Sequence, residues 1–272
     1  MTRPADLPDF KSPPLNEVVM GVQFQQPPGY QQIRAGEVWS LYRDQYPQTI
    51  EQAALAPAFE TFGLPQGAQI DFGVVAGATH DRFWFLSPNQ DELIQFQHDR
   101  LLHNWRKVGD RTNEYPRFEA IIEKFKSELS QLETYMATLA SGPDQQLKIN
   151  QAEITYINHI PCEGEPGTIC APNSWLSLLN VDDYGFEDFN CTFRKRVIGP
   201  DGSPYARLIC QAAIGLAAGK RVILLNITFR GAPPGQSIQA AVEFLCLGRQ
   251  MIVEFFTQIT TKQAHAAWGR SQ

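Results

Sequence analysis

Residues 118–139, "FEAIIEKFKSELSQLETYMATL", decide the fold. Their apolar side chains fall at Phe118, Ile122, Phe125, Leu129, Leu132, Met136 and Leu139, at alternating spacings of four and three. That pattern lays one unbroken apolar stripe down one side of a long helix. The same pattern returns at Ile238, Val242, Leu245, Arg249, Ile252, Phe256 and Ile259. "SGPD" (141–144) ends the first helix and marks a boundary between two halves.

Working outward from the first helix, the preceding segments read as strands and one helix. "LNEVVMGVQF" (15–24) is valine-rich and flanked by proline pairs. "IRAGEVWSLYRDQYP" (33–47) reads as a helix that stops before Pro47. "QIDFGVV", "RFWFLS" and "DELIQFQHDRLLHNWRK" (91–107) read as three strands, with a hairpin turn at "SPNQDE". The second half repeats the order. "LKINQAEITYINHI" is a strand, and "APNSWLSLL" is a short helix capped by Asn173 or Ser174. Three strands follow, "FEDFNCTFRKRVI", "YARLICQAAIG" and "RVILLNITFRG", with turns at "GPDG" and "AAGK".

The fold class expected is therefore α+β. The unit is strand, helix, three strands, long helix, duplicated about a pseudo-twofold, with antiparallel sheets curled against the long helices. The expected division is an extended lead-in at 1–14 and repeats at 15–140 and 147–272.

The 272 residues suffice for a full core, and 43% hydrophobic with 19% charged residues is an ordinary globular composition. A net charge of −6 argues against duplex nucleic acid, which is held largely by neutralising phosphates. No apolar run reaches the roughly 20 residues a membrane helix needs. The five cysteines, Cys162, Cys170, Cys191, Cys210 and Cys246, include no C-x-x-C pair and read as small apolar fillers in a reducing compartment. With an N-terminus broken by prolines and acids, this points to the cytoplasm.

Several catalytic signatures are tested and fail. "GLAAGK" (215–220) has three residues between its glycines where a phosphate loop needs four, and no Ser or Thr follows Lys220. Neither G-x-S-x-G nor H-E-x-x-H occurs. "HIPC" (159–162) reads as a strand end running into a proline turn. The pairs His80–Asp81 and His98–Asp99 invite a metal-hydrolase reading, but on one strand His98 and His103 would point to opposite faces. No metal, cofactor or catalytic residue is expected. The alternative kept open is a hydrolase or phosphoesterase using His98, Asp99 and His103.

Two places break the local rules. In residues 91–107 neither face alternates cleanly, and a bulge near Asp99 and Arg100 would explain it. The bland account is a twisted strand in which those two residues pair with neighbours. The functional account is a polar pocket wall of His98, Arg100, Asn104 and Trp105, suited to a small anionic or planar ligand or a protein partner. A face using Trp84, Arg100 and Trp105 for single-stranded nucleic acid is a third reading, which the net charge opposes. The second place is Arg249, which sits where Leu129 sits in the first stripe. It must snorkel outward or pair with a carboxylate or bound anion.

"PPLNEVVMGVQF", "QFQHDRLLHNWRK" followed by "YPRF", "TYINHI", and a terminal "FFTQIT" with "WG" resemble a sporadically distributed family of uncharacterised prokaryotic proteins of about this length. The resemblance covers nearly the whole chain. The family shows Arg-Tyr-Ile-Asn-Arg where this chain has Thr155, Tyr156, Ile157, Asn158 and His159, so both arginines are missing and Asn158 stays as a candidate binding residue. The resemblance implies no established activity. The family's patchy distribution implies mobile genes of the accessory or defence kind. The functional expectation is a cytoplasmic, non-enzymatic binding or protein-interaction module with a ligand groove, compatible with a homodimer.

Overall fold

The structure, a computed structural model, describes residues 3–63, 81–109, 113–139, 146–162, 172–178, 188–217 and 219–271. The expected strand at 69–75, the boundary at 141–144, His80 and Cys170 lie outside the described residues.

The first stretch forms β1 (Leu15–Phe24), α1 (Ala35–Tyr42), β2 (Gln48–Gln52), β3 (Arg82–Leu86), β4 (Glu92–Gln97), β5 (Arg100–Arg106) and α2 (Phe118–Leu139). The second forms β6 (Ile149–Pro161), β7 (Asn190–Ile198), β8 (Pro204–Ala217), β9 (Lys220–Gly231), α3 (Ile238–Ile259) and α4 (Lys262–Ala267). All nine strands join one antiparallel sheet in the order β2-β3-β4-β5-β1-β6-β9-β8-β7. The central pair is β1 with β6, each the first strand of its half. Moving outward, each flank runs through its remaining strands from last to first.

Both apolar stripes face this sheet. The α2 stripe buries Phe118, Ile122, Phe125, Leu129, Leu132 and Met136, and the α3 stripe buries Ile238 through Ile259, Arg249 included. On β1, Val18, Met20, Val22 and Phe24 fall on one face of the strand and join the same core. Ser237 caps α3 by accepting from the Ala240 N–H at 3.2 Å. Gly248 lets α3 approach closely, because a Cβ there would lie 2.6 Å from the Phe229 ring and 2.8 Å from Ile154. Among the described residues no helix is long and apolar enough to cross a membrane.

Residues 91–107 depart from the expected single strand. They form a tight hairpin whose last cross-strand pair is Gln97 with Arg100, leaving His98 and Asp99 as a two-residue turn. There is no bulge. Both Asp99 carboxylate oxygens are held by Arg100 at 3.0 Å, and Gln97 donates to the same carboxylate at 3.1 Å. A two-residue turn reverses which parity faces the core. Ile94 and Phe96 therefore share a face with Leu101, His103 and Trp105, which removes the ambiguity of a continuous reading.

Four smaller expectations also change. The helix expected at 33–47 is shorter, a 3₁₀ turn followed by α1 at Ala35–Tyr42. Asn173 and Ser174 lie inside a 3₁₀ turn, Pro172–Ser174, instead of capping a helix. β2, "QTIEQ", is an additional strand: it is a short, largely exposed and mostly polar edge strand, and its sequence shows too little alternation to mark it. Cys162 is disulfide-bonded, against the expectation of scattered free thiols, while Cys191, Cys210 and Cys246 are free. Burial pushes the Cys210 thiol up to about 12, which keeps it protonated and unreactive.

Candidate functional site

A cavity lies where α2, α3 and the central strands meet. Its walls include Tyr115 just before α2, Phe118 at the start of α2, Tyr156 and Asn158 on β6, and Arg249 and Phe256 on α3. The lead-in closes one side, with Phe10 packed edge-on against Phe256 at 5.5 Å between ring centroids. The lining is mostly apolar, as small-molecule sites are, with a few convergent polar groups.

Arg249 is 4% exposed and sits in this seam. Its Nη2 donates to Glu119 Oε1 on α2 at 3.0 Å, and its guanidinium carbon lies 5.4 Å from the Phe118 ring centroid. The arginine that breaks the apolar stripe is thus paired with a carboxylate across the two long helices. Tyr115 and Tyr156 place their hydroxyls 3.3 Å apart. Burial raises both phenols, most strongly Tyr115, so each remains a neutral donor. Asn158 is buried, and its Nδ2 donates to the Leu225 carbonyl at 3.1 Å. At the rim, Asp9 accepts from Arg117 at 3.1 Å and meets Arg3 at 3.2 Å. The cavity's charged lining is three arginines (Arg3, Arg117, Arg249) against two carboxylates (Asp9, Glu119), one excess positive charge.

Two of the six candidate residues, Asn158 and Arg249, therefore share this cavity. The other four do not assemble into one wall. His98 lies in the hairpin turn. Arg100 and Asn104 point to the face away from the helices, where Asn104 donates to Glu17 at 2.6 Å and accepts from Gln95 at 2.9 Å. Trp105 points the other way and is buried against Tyr115, with centroids 5.0 Å apart. Trp84 lies on the face opposite Trp105, flanked by Arg82 and Arg106 at 5.7 and 5.8 Å.

His98, Asp99 and His103 are likewise not brought together. His103 is fully buried beneath α2, where its Nδ1 meets Glu128 Oε2 at 2.9 Å. Tyr46 donates to the same carboxylate at 2.7 Å. Asp99 is engaged by Arg100 on the other face of the hairpin.

Sequence reasoning missed Tyr115, Tyr156 and Glu119 as cavity residues. Both tyrosines stand in the quoted segments "YPRF" and "TYINHI", yet nothing local says that these two segments meet. No protein-family model matches the chain, no curated protein matches it, and no solved structure matches its fold.

Proposed function

We propose that the protein is a non-enzymatic binding module that takes a small, planar, anionic ligand in the seam cavity. One observation carries this reading: a buried arginine, two neutral phenols and an asparagine converge on an otherwise apolar cavity with one excess positive charge. Phe118 and Phe256 supply flat apolar contact, and Arg249 supplies a fork that matches a carboxylate.

The chain is, on this reading, a duplicated unit with a pseudo-twofold between β1 and β6, extending over 15–140 and 147–272. The matching outward strand order supports it, with β2 as an addition to the first half. The cavity then lies at the junction of the repeats, where α2 meets α3. A cytoplasmic setting is part of this reading: the three free thiols fit it and the Cys162 disulfide opposes it, while an accessory or defence role follows the family resemblance.

The test is a thermal-shift and calorimetric screen of planar carboxylates against the wild-type chain and Arg249→Leu. Binding by the wild type that disappears in Arg249→Leu supports the site. A screen without binding, or with binding unchanged in the variant, removes the cavity from consideration.

A further inference from the structure

Residues 53–62, "AALAPAFETF", cross the helix-free face of the sheet, and their attachments follow the strand order. Arg82 Nε of β3 donates to the Ala53 carbonyl at 3.0 Å. Gln97 of β4 grips Leu55 at both backbone groups, accepting from its N–H at 2.9 Å and donating to its carbonyl at 3.0 Å. Gln23 of β1 does the same to Ala58, at 3.1 and 2.8 Å. Gln151 of β6, with its amide oxygen toward the strap, accepts from the Glu60 N–H at 3.1 Å. The Glu60 carboxylate then lies between two arginines. Arg230 Nε of β9 donates to one oxygen at 2.8 Å, and Arg207 Nη1 of β8 donates to the other. Arg207 also donates to the Thr61 carbonyl at 3.0 Å.

The strap is extended. From Leu55 to Glu60 it passes from β4 to β9, four strand spacings or roughly 19 Å. Five residues at full stretch cover about 17 Å, and the gripping side chains supply the remainder. It is a peptide laid across the strands.

Three features distinguish it from ordinary loop packing. Two of its large apolar side chains face solvent, with Leu55 36% and Phe59 52% exposed, while Phe62 lies against the Arg207 guanidinium at 5.0 Å from the ring centroid. Hydrophobic burial therefore does little to hold it, and polar contacts carry most of the attachment. A cavity of about 210 Å³ lies between the strap and the sheet, lined by Gly21, Arg100 and Leu102 below and Ala56 and Ala58 above. The Glu60 side chain, by contrast, is 1% exposed. The attachment is thus made of backbone-reading amides and one acid-reading arginine pair. Glutamines that grip N–H and C=O together accept a peptide whatever its side chains, and the arginine pair adds a requirement for a carboxylate.

We infer that this face is a peptide-binding surface, and that residues 53–62 are its intrachain occupant, replaced by an extended partner peptide bearing an acidic residue where Glu60 now lies. The inference is independent of the seam cavity, which is on the other face of the sheet.

The experiment uses the full chain and a fluorescein-labelled peptide of residues 53–63, read by anisotropy. An intrachain strap competes at an effective concentration of about millimolar, so the wild type should show little uptake at micromolar peptide. Glu60→Ala, which releases the latch, should bind the peptide at least about tenfold more tightly than wild type. The same peptide with Gln at the Glu60 position should bind Glu60→Ala about tenfold more weakly, as should the original peptide when Arg207→Ala is added. If Glu60→Ala fails the circular-dichroism check for folding, Glu60→Gln replaces it. Hydrogen exchange at the Leu55 and Ala58 amides runs in parallel. A folded variant with released amides and no uptake overturns the peptide surface. Amides that stay protected overturn Glu60 as the latch. Equal binding of acidic and amide peptides overturns the arginine pair as the acid reader. A concentration-dependent dimer that blocks uptake assigns the surface to a second copy and overturns the separate partner.

Discussion

Arg249 of α3 and Glu119 of α2 form an ion pair at 3.0 Å that ties the two long helices together at the seam. The arginine is almost completely buried and the glutamate about one-fifth exposed. The pair is therefore not a solvated surface bridge. Removing the arginine leaves a carboxylate with only partial access to water.

Arg249→Leu should lower stability by about 1–3 kcal/mol, below the full cost of stranding a deeply buried charge because Glu119 retains some solvent. Adding Glu119→Gln should recover part of that loss. Urea melts of the two single variants and the double variant give the coupling directly. A neutral Arg249→Leu would mean that the pair contributes nothing to the fold.

The buried carboxylate of Glu128 accepts from Tyr46 and meets His103 Nδ1. Glu128→Leu leaves a phenol and an imidazole N–H buried without an acceptor. The expected cost is about 2–5 kcal/mol, read from the shift in denaturant midpoint. The Tyr42 hydroxyl, which donates to the Glu128 backbone carbonyl at 2.8 Å, should be unaffected. A loss near zero would show that water reaches this cluster.

Burial raises the Glu17 carboxyl above its ordinary 4.5, opposed by the Asn104 hydrogen bond and the Arg106 charge. A raised acid favours the fold when protonated, and that contribution fades as pH rises from 4.5 through the folded-state value. Glu17→Gln keeps an oxygen for Asn104 and removes the titration. Its melting temperature should equal or exceed wild type at pH 7, with the advantage shrinking toward pH 4. An advantage that grows on acidification would reverse the sign and refute this account.

Gly248→Ala drives a methyl into the Phe229 ring and Ile154, so α3 must lift from the sheet. The expected cost is about 1–3 kcal/mol in thermal melts. A tolerated alanine would mean that the helix–sheet contact is slack.

The two long helices were legible because their evidence is local. A spacing of four and three, repeated from Phe118 and again from Ile238, needs no partner to be recognised. Most strands were legible for the same reason. Residues 91–107 read as one strand in the sequence because a two-residue turn without glycine, held by Arg100 and Gln97 on Asp99, carries no strong sequence signal. Arg249 could be flagged as an intruder in its stripe, but the stripe could not say what it meets.

What the sequence by itself determined is thus the periodic part: two apolar stripes on long helices, and a valine-rich first strand. Only the tertiary structure decided which strands lie together, that Arg249 finds Glu119 130 residues away, and that Glu60 is clamped by Arg230 170 residues away. The reason is physical. Periodicity is written by neighbours that share one element, whereas a cavity or a clamped strap depends on which distant surfaces come together when the whole core is buried.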